Sequence, residues 1–330
     1  MRIESSVTSI SWIPSAAIEG MTKMPFEVGI AHYDAPPPEI LENLDALREK
    51  DAFRFANELR AFIEVVDGEI KDFGHLGAGQ IGATTMKLGR KAMTFPAVAF
   101  PDIRPAPTTS KTSVTFTQTA GGRTGIPAPR RVSRKPFVQI AAPLAWTTLS
   151  LTIDAAGSSS FKVTGASPFP RHWIYDSEGK LSAKSGIIDF KTWYKEAFGD
   201  QTPWGGLDSP ALITKAETAL ERQISKAIMT GKNVPSKESI KKGQTLVEQG
   251  DVGGTLFLLL DGVLGVEVDG ESVSEVGPGA ILGERALLEG GKRTATLRAL
   301  TDCRVAVFHA SEVDPSALRE VSKGHRGENS

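Results

Sequence analysis

The chain has 330 residues, 40% of them hydrophobic and 23% charged, with a formal net charge of −1. That length allows two cores, the composition is that of an ordinary globular protein, and near-neutrality excludes a polyelectrolyte built for nucleic acid or a membrane surface. The charge is uneven: residues 236–330 hold 11 Lys and Arg against 15 Asp and Glu, a net of −4, which leaves +3 for residues 1–235.

Cys303 is the single cysteine, so an intrachain disulfide and any multi-cysteine metal site are ruled out. The N-terminus lacks an apolar core of signal-peptide length, and Leu256–Leu260, the longest aliphatic run near the C-terminus, is far too short to span a bilayer. A cytoplasmic protein without a membrane segment is expected.

In chain order, a short strand-like start leads to Pro36-Pro37-Pro38, followed by EILENLDALREKDAF, whose leucines 41, 44 and 47 predict one helical face. Arg60–Val66 and Glu69–Phe73 flank Asp67-Gly68, a hairpin signal. Ser113–Thr117, Phe137–Ala141, Thr147–Asp154 and Phe161–Thr164 are further segments rich in valine, threonine and aromatics, separated by proline and glycine. They predict an antiparallel sandwich or barrel-like domain over 1–205. Asp189–Phe198 reads as a short helix carrying Trp193 and Tyr194. TPWGGLDSP, 202–210, reads as a linker, and Ser209-Pro210 as the opening of a helix with an apolar stripe at 212, 213, 216, 220, 224 and 228, ended by Gly231. A linker helix within 206–235 is therefore expected. From Ser239 the pattern returns to short strands with tight glycine turns, a small jelly roll over 236–330. The fold class expected is mainly β with a few helices (α+β).

The chemistry concentrates in GERALLEGGKRTATL, residues 283–297. Gly283 lets the backbone approach a ligand closely. Glu284-Arg285-Ala286-Leu287-Leu288 reads as one helical turn whose free amides favour an anion. Arg293 offers a planar fork of donors to phosphate oxygens, and Thr294 adds a hydroxyl. Glu284 suits a hydroxyl donor such as a ribose 2′-hydroxyl. The set describes a ribose and a phosphate held together.

On these residues, and on Ile240-Lys241-Lys242-Gly243-Gln244, Glu248-Gln249-Gly250-Asp251, Leu256–Gly262 and Gly277–Glu284, the sequence over about 236–313 resembles the cyclic nucleotide-binding domain family. The resemblance implies a β jelly roll with flanking helices and a ligand-binding set of Gly283, Glu284, Arg285, Ala286, Leu287, Arg293, Thr294 and Ala295. Within that set Glu284 takes the ribose 2′-hydroxyl, Arg293 the cyclic phosphate, and the amides of Arg285 and Ala286 complete the cradle. A hydroxyl at the Thr294 position serves cGMP-binding members, and a cAMP-binding bacterial activator has one there too. cAMP is therefore preferred, with cGMP open. The implied lid over the base is Pro315–Arg326, with Leu318 and Val321 as its apolar residues; so short a lid leaves room for a partner subunit, or the N-terminal domain, to complete the base contacts. A homodimer is thus one open assembly. Only about twenty residues come after the jelly roll, too few for a helix-turn-helix, so direct DNA binding is not expected.

Other motifs carry less. Gly77, Gly79 and Gly82 form a G-x-G-x-x-G with Asp102 downstream, but residues 84–89 favour strand or turn, so a glycine-rich hairpin loop is preferred to dinucleotide binding. His172 and Asp176 invite an acid–base reading, weighed against a plain strand and turn. No histidine spacing suits a metal, and neither a metal site nor a catalytic set is assigned. Between Asp102 and Asp154 there is no acidic residue, while Arg104, Lys111, Arg123, Arg130, Arg131, Arg134 and Lys135 supply seven positive charges: a solvated loop, or a surface for an acidic partner. These residues leave two functions open. The leading one is a cyclic nucleotide sensor whose β-rich N-terminal domain carries the output through a protein partner. The rival is a nucleotide-gated enzyme with its active site near Arg171 and His172.

Overall fold

The computed structural model describes residues 1–14, 34–50, 52–82, 84–88, 91–95, 97–123, 128–131, 138–230, 235–288, 290–309, 313, 316 and 318–322. Strands dominate, helices are few, and the chain divides into two compact units, Met1–Ala211 and Leu212–Ser330. Among the described residues no helix is long and apolar enough to cross a membrane.

The N-terminal unit is a sandwich of two antiparallel sheets, not a closed barrel. One sheet runs Leu181–Ser185, Arg171–Tyr175, Arg2–Trp12, Phe55–Val66, Glu69–His75, with Gly79–Ile81 also paired to Phe55–Val66. The other runs Ser159–Ala166, Leu144–Asp154, Ser113–Arg123, Val98–Ala99, with Thr108–Thr109 added to Ser113–Arg123. Period-two alternation explains the packing. Leu59, Ala61, Ile63 and Val65 point inward from one strand, and Val114 and Phe116 face them from the other sheet. The hairpin at Asp67-Gly68 forms as expected, both residues having the positive φ of a type I′ turn (53° and 77°). Trp146, Phe169 and Trp193 close one end, where the helix Phe190–Glu196, capped by Asp189, docks.

Several expectations are corrected. The helix after the prolines covers only Leu44–Glu49, because the Asn43 side chain caps it at Ala46 N (3.0 Å), and none of its residues is buried. Residues 202–210 pack into the N-terminal unit: Trp146 Nε1 donates to Asp208 Oδ1 (2.7 Å), and Trp204 Nε1 donates to the Pro101 carbonyl (2.8 Å). The G-x-G-x-x-G segment is an edge strand. A Cβ at Gly79 would lie 2.7 Å from the Ala120 Cβ, and Asp102 accepts from Gly79 N (3.1 Å), so sheet packing demands that glycine. Residues 84–88 and 91–95 then pair as a hairpin, with no helix. Of the basic stretch, Arg104 pairs with Asp102 (3.0 Å), Lys111 pairs with Glu69 (3.2 Å), and Arg123 lies over the Phe100 ring. Arg134 and Lys135 lie outside the described residues, as does Gly231.

The sandwich interior carries a polar layer. Ser9 Oγ meets Thr147 Oγ1 (2.6 Å), and the Asn57 amide donates to the Thr147 carbonyl (2.9 Å). His172, fully buried, bonds Ser11 Oγ through Nδ1 (2.7 Å) and the Ser167 carbonyl through Nε2 (2.8 Å). A carbonyl only accepts, so the proton sits on Nε2 and Nδ1 accepts from Ser11. Asp176 accepts from the Glu178 and Lys180 amides and the Ser182 hydroxyl, which makes it a turn residue. The acid–base reading of this pair has no support in the geometry.

The C-terminal unit has two four-stranded antiparallel sheets, the jelly-roll arrangement without closure. One runs Ser236–Ile240, Cys303–His309, Thr255–Asp261, Ile281–Leu282; the other runs Thr245–Val247, Thr296–Ala299, Leu264–Val268, Glu271–Val276. The aliphatic run now has a reason. Phe257 and Leu259 face the inter-sheet core, while Leu256 and Leu258 face outward beneath the helix Ala219–Thr230, so the strand is apolar on both sides. That helix starts later than expected. Ile213–Lys215 is a strand, and Thr218-Ala219-Leu220-Glu221 is a capping box: the Thr218 hydroxyl accepts from Glu221 N (3.2 Å) and Glu221 Oε2 accepts from Thr218 N (2.9 Å).

Burial of His172 lowers its pKa to about 4, against the Ser167 carbonyl, which acts the other way; nearby Arg171 adds to the fall. Between pH 6.5 and about 4 the folded chain therefore binds fewer protons here than the unfolded chain, and stability falls as pH drops through that window. Urea unfolding at pH 7 and 4.5 is expected to show wild type losing about 2–3 kcal/mol more than His172→Gln. Equal pH slopes in the two proteins would show that His172 does not titrate this way.

Candidate functional site

The site is built by a chain reversal in the C-terminal unit. The strand Ile281–Leu282 pairs with Phe257 and Leu258 and delivers Gly283 to the core edge. Glu284–Leu288 then forms a five-residue helix in which Glu284 and Ala286 are buried. The chain returns so that Arg293 N donates to the Asp251 carbonyl (2.8 Å) and Gly250 N to the Arg293 carbonyl (2.8 Å). This pins the Arg293 backbone beside 250–253.

Its side chain is 6% exposed. Nη2 donates to the Thr255 carbonyl (3.0 Å), Nη1 reaches the Gly283 carbonyl (3.4 Å), and the guanidinium lies 5.4 Å from the Phe257 ring centre. A Cβ at either Gly253 or Gly283 would overlap the guanidinium, so a side chain at 253 would displace it, while Gly283, with φ +90°, requires glycine for its backbone as well. Burial lowers the Arg293 pKa, partly offset by the Asp251 and Glu284 carboxylates. An arginine stays cationic at neutral pH even so. Glu284, 3% exposed, is the second buried ionisable group at this end.

These residues open on one cavity of about 320 Å³. Of the expected set, Gly283, Glu284, Arg285, Ala286, Arg293, Thr294 and Ala295 line it together. Leu287 is not among the lining residues; it packs with the cluster of Leu256, Ile281 and Phe308 beneath the helix Ala219–Thr230. Val247, Val266, Val273, Leu282 and Leu297 supply an aliphatic wall. Lys215, Ala216, Glu217, Thr218 and Glu221 supply another that sequence reasoning missed; the capping box at 218–221 was its one legible signal. The two apolar residues of the expected lid are also placed elsewhere. Leu318 and Val321, 3% and 2% exposed, pack with Ile224 and Ile228 and do not line the cavity. The rest of 315–326, apart from 316, 318–320 and 322, lies outside the described residues.

A buried cation, the amides of a helical turn and a carboxylate around a small cavity suit an anionic ester that also carries a hydroxyl. Residues 237–315 match the family model of the cyclic nucleotide-binding domain. This part of the chain is a cyclic nucleotide-binding domain. It is similar to the cGMP-dependent protein kinase of Plasmodium berghei (40% identical over 68 residues, 20% of this chain and 8% of that protein). It is also similar to the cAMP-dependent protein kinase regulatory subunit of Eremothecium gossypii (34% over 139 residues, 41% of this chain and 30% of that protein). The chain thus spans under a third of the length of these relatives. Among solved structures, the N-terminal domain of a transcriptional regulator from Streptomyces coelicolor A3(2) is 26% identical, covering 28% of this chain and 75% of that one, with a TM-score of 0.24.

Glu221 fastens the missed wall. Its carboxylate is 2% exposed and accepts from Thr218 N (2.9 Å), Thr218 Oγ1 (3.0 Å) and Ile281 N (3.3 Å). Glu221→Ala strands those donors and is expected to destabilise the C-terminal unit by about 2–4 kcal/mol. Chemical denaturation checks it, and a loss below about 0.5 kcal/mol would show that the capping box contributes little.

Proposed function

We propose that the C-terminal unit is the sensor of a regulatory protein and that its ligand is a cyclic purine mononucleotide, cAMP in preference to cGMP. Arg293 takes the cyclic phosphate with the amides of Arg285 and Ala286, Glu284 takes the ribose 2′-hydroxyl, and Gly283, Thr294 and Ala295 shape the cradle. The observation that carries this reading is the buried Arg293 guanidinium opening onto the same cavity as Glu284. A ligand offering both an anion and a donor such as a ribose hydroxyl uses both groups. The relatives' names, a cGMP-dependent kinase and a cAMP-dependent regulatory subunit, support the ligand class and leave the choice of base to experiment.

In this reading the output lies within the unit Met1–Ala211 and the sensor within Leu212–Ser330, with the helix Ala219–Thr230 as the connection, in a cytoplasmic protein whose N-terminal domain meets a protein partner. The rival, an enzyme centred on Arg171 and His172, is disfavoured. Those side chains are 5% and 0% exposed, and His172 has both ring nitrogens engaged.

Calorimetric titration with cAMP, cGMP and a cyclic dinucleotide tests the proposal. Binding of cAMP is expected, and Arg293→Ala should weaken it by about 2–5 kcal/mol, because the phosphate loses its desolvated partner. A folded variant that binds cAMP within threefold of wild type would overturn the assignment.

A further inference from the structure

The cavity has a wall that the phosphate and ribose roles leave unused. Lys215, Ala216, Glu217 and Thr218 line the same space as Glu284 and Arg293. This strap runs from the strand Ile213–Lys215 into the helix Ala219–Thr230 and, among the described residues, meets the jelly roll at three named points. A Cβ at Gly277 would overlap Thr214, and one at Gly279 would overlap Glu217, so the 277–279 turn lets the strap lie directly on it. The third point is the Glu221 carboxylate on Ile281 N (3.3 Å), three residues before Glu284. Among the described residues of the expected lid, Leu318 and Val321 are buried elsewhere.

We propose that residues 215–218 form the base subsite and set its selectivity; this rests on reading the cavity as the cyclic nucleotide site. With phosphate and ribose taken by Gly283–Ala286 and Arg293, the base is left to the remaining walls: Val266 and Val273, the polar Ser274, Glu275 and Thr294, and the strap. The valines hold a flat ring without distinguishing one purine from another. The strap adds the Lys215 ammonium as a donor and Ala216, whose single methyl fixes how deep the ring can sit, while the Glu217 carboxylate lies against the Gly279 turn and near Arg222 (4.0 Å). A ligand bound this way touches the residues that start the helix Ala219–Thr230, so occupancy bears directly on that helix.

Two variants separate contact from folding. Ala216→Leu puts three carbons into the slot, and Thr218→Ser keeps the helix cap while removing one methyl from the wall. By calorimetry, Ala216→Leu is expected to weaken cAMP at least tenfold. Thr218→Ser is expected to change the ratio of cAMP to cGMP affinity at least threefold with an unchanged melting temperature. Hydrogen exchange of the wild-type chain supplies a test that needs no variant: saturating cAMP should slow the amides of 215–221 at least threefold. If both variants bind both nucleotides within twofold of wild type, or if 215–221 exchanges unchanged, the strap does not touch the ligand. If that happens while Arg293→Ala still abolishes binding, the nucleotide site stands and only the strap assignment falls. If wild type binds neither nucleotide, both fall together.

Discussion

The C-terminal unit is arranged around one guanidinium that has been taken out of water. Removing a charge of this kind from solvent costs several kcal/mol unless it is paired and bonded. Here Arg293 is bonded to two carbonyls and faces two carboxylates, Asp251 and Glu284, yet burial remains the largest influence on it. Much of the surrounding sequence serves to make the position habitable. Gly253 and Gly283 give up side chains that would occupy its volume, and the backbone of 250–251 grips that of 293. A cation held this rigidly loses little entropy when an anion arrives, and it acts in a less polar medium than the surface provides. Both effects favour a phosphate over a loosely matched carboxylate.

Three consecutive residues tie this charge to the remainder of the unit. The Ile281 side chain lies in the outer cluster with Ile224, Ile228 and Phe308, and its amide donates to Glu221 at the start of the same helix. Leu282 turns the other way, into the inter-sheet core and the cavity wall. Gly283 comes next, its carbonyl at the Arg293 guanidinium. A strand's alternation thus joins helix, core and site within a span of about 10 Å. Close-packed side chains do not absorb displacement independently, so the five-residue turn after Gly283 cannot tighten without loading Ile281.

Legibility tracked chemistry more than geometry. The glycine, glutamate and arginine of 283–293 stand out in the sequence because charge and close approach leave few substitutes, and seven of the eight expected residues line one cavity. Leu287 was misplaced because a five-residue helix sends successive side chains to different surroundings, and a family motif records the run without the facing. The strap was missed because the apolar positions 212, 213 and 216 suit a helical stripe. The β-branched Ile213-Thr214 and the capping box at 218–221 together place the helix start later, at Ala219. In the N-terminal unit the strands announced themselves by composition, but their partners did not. Arg2–Trp12 lies between Phe55–Val66 and Arg171–Tyr175, a pairing across more than 150 residues that local pattern cannot reveal. His172 shows the same limit, since its partners Ser11 and Ser167 come from separate parts of the chain.

The two units also treat buried polarity differently. In the N-terminal sandwich Ser9, Asn57, Gln118 and Thr147 bond one another across the sheets, although Gln118 Oε1 has no hydrogen-bond partner among the described residues, and a shift in register would break several of these bonds together. In the C-terminal unit the polar groups converge on an open cavity, and the strap is fastened to the jelly roll by one carboxylate and two close glycine contacts. A ligand shifts a conformational equilibrium only by its difference in affinity for the two states, and coupling energies of that kind are typically about 1–3 kcal/mol. A single buried hydrogen bond between a charged and a neutral group contributes on the same scale, about 1.5–3 kcal/mol. The Glu221–Ile281 bond is therefore of the right strength to be made or broken by a small ligand, whereas the bonded interior of the sandwich is not. In the proposed reading, a response to occupancy begins at the strap and the helix it caps.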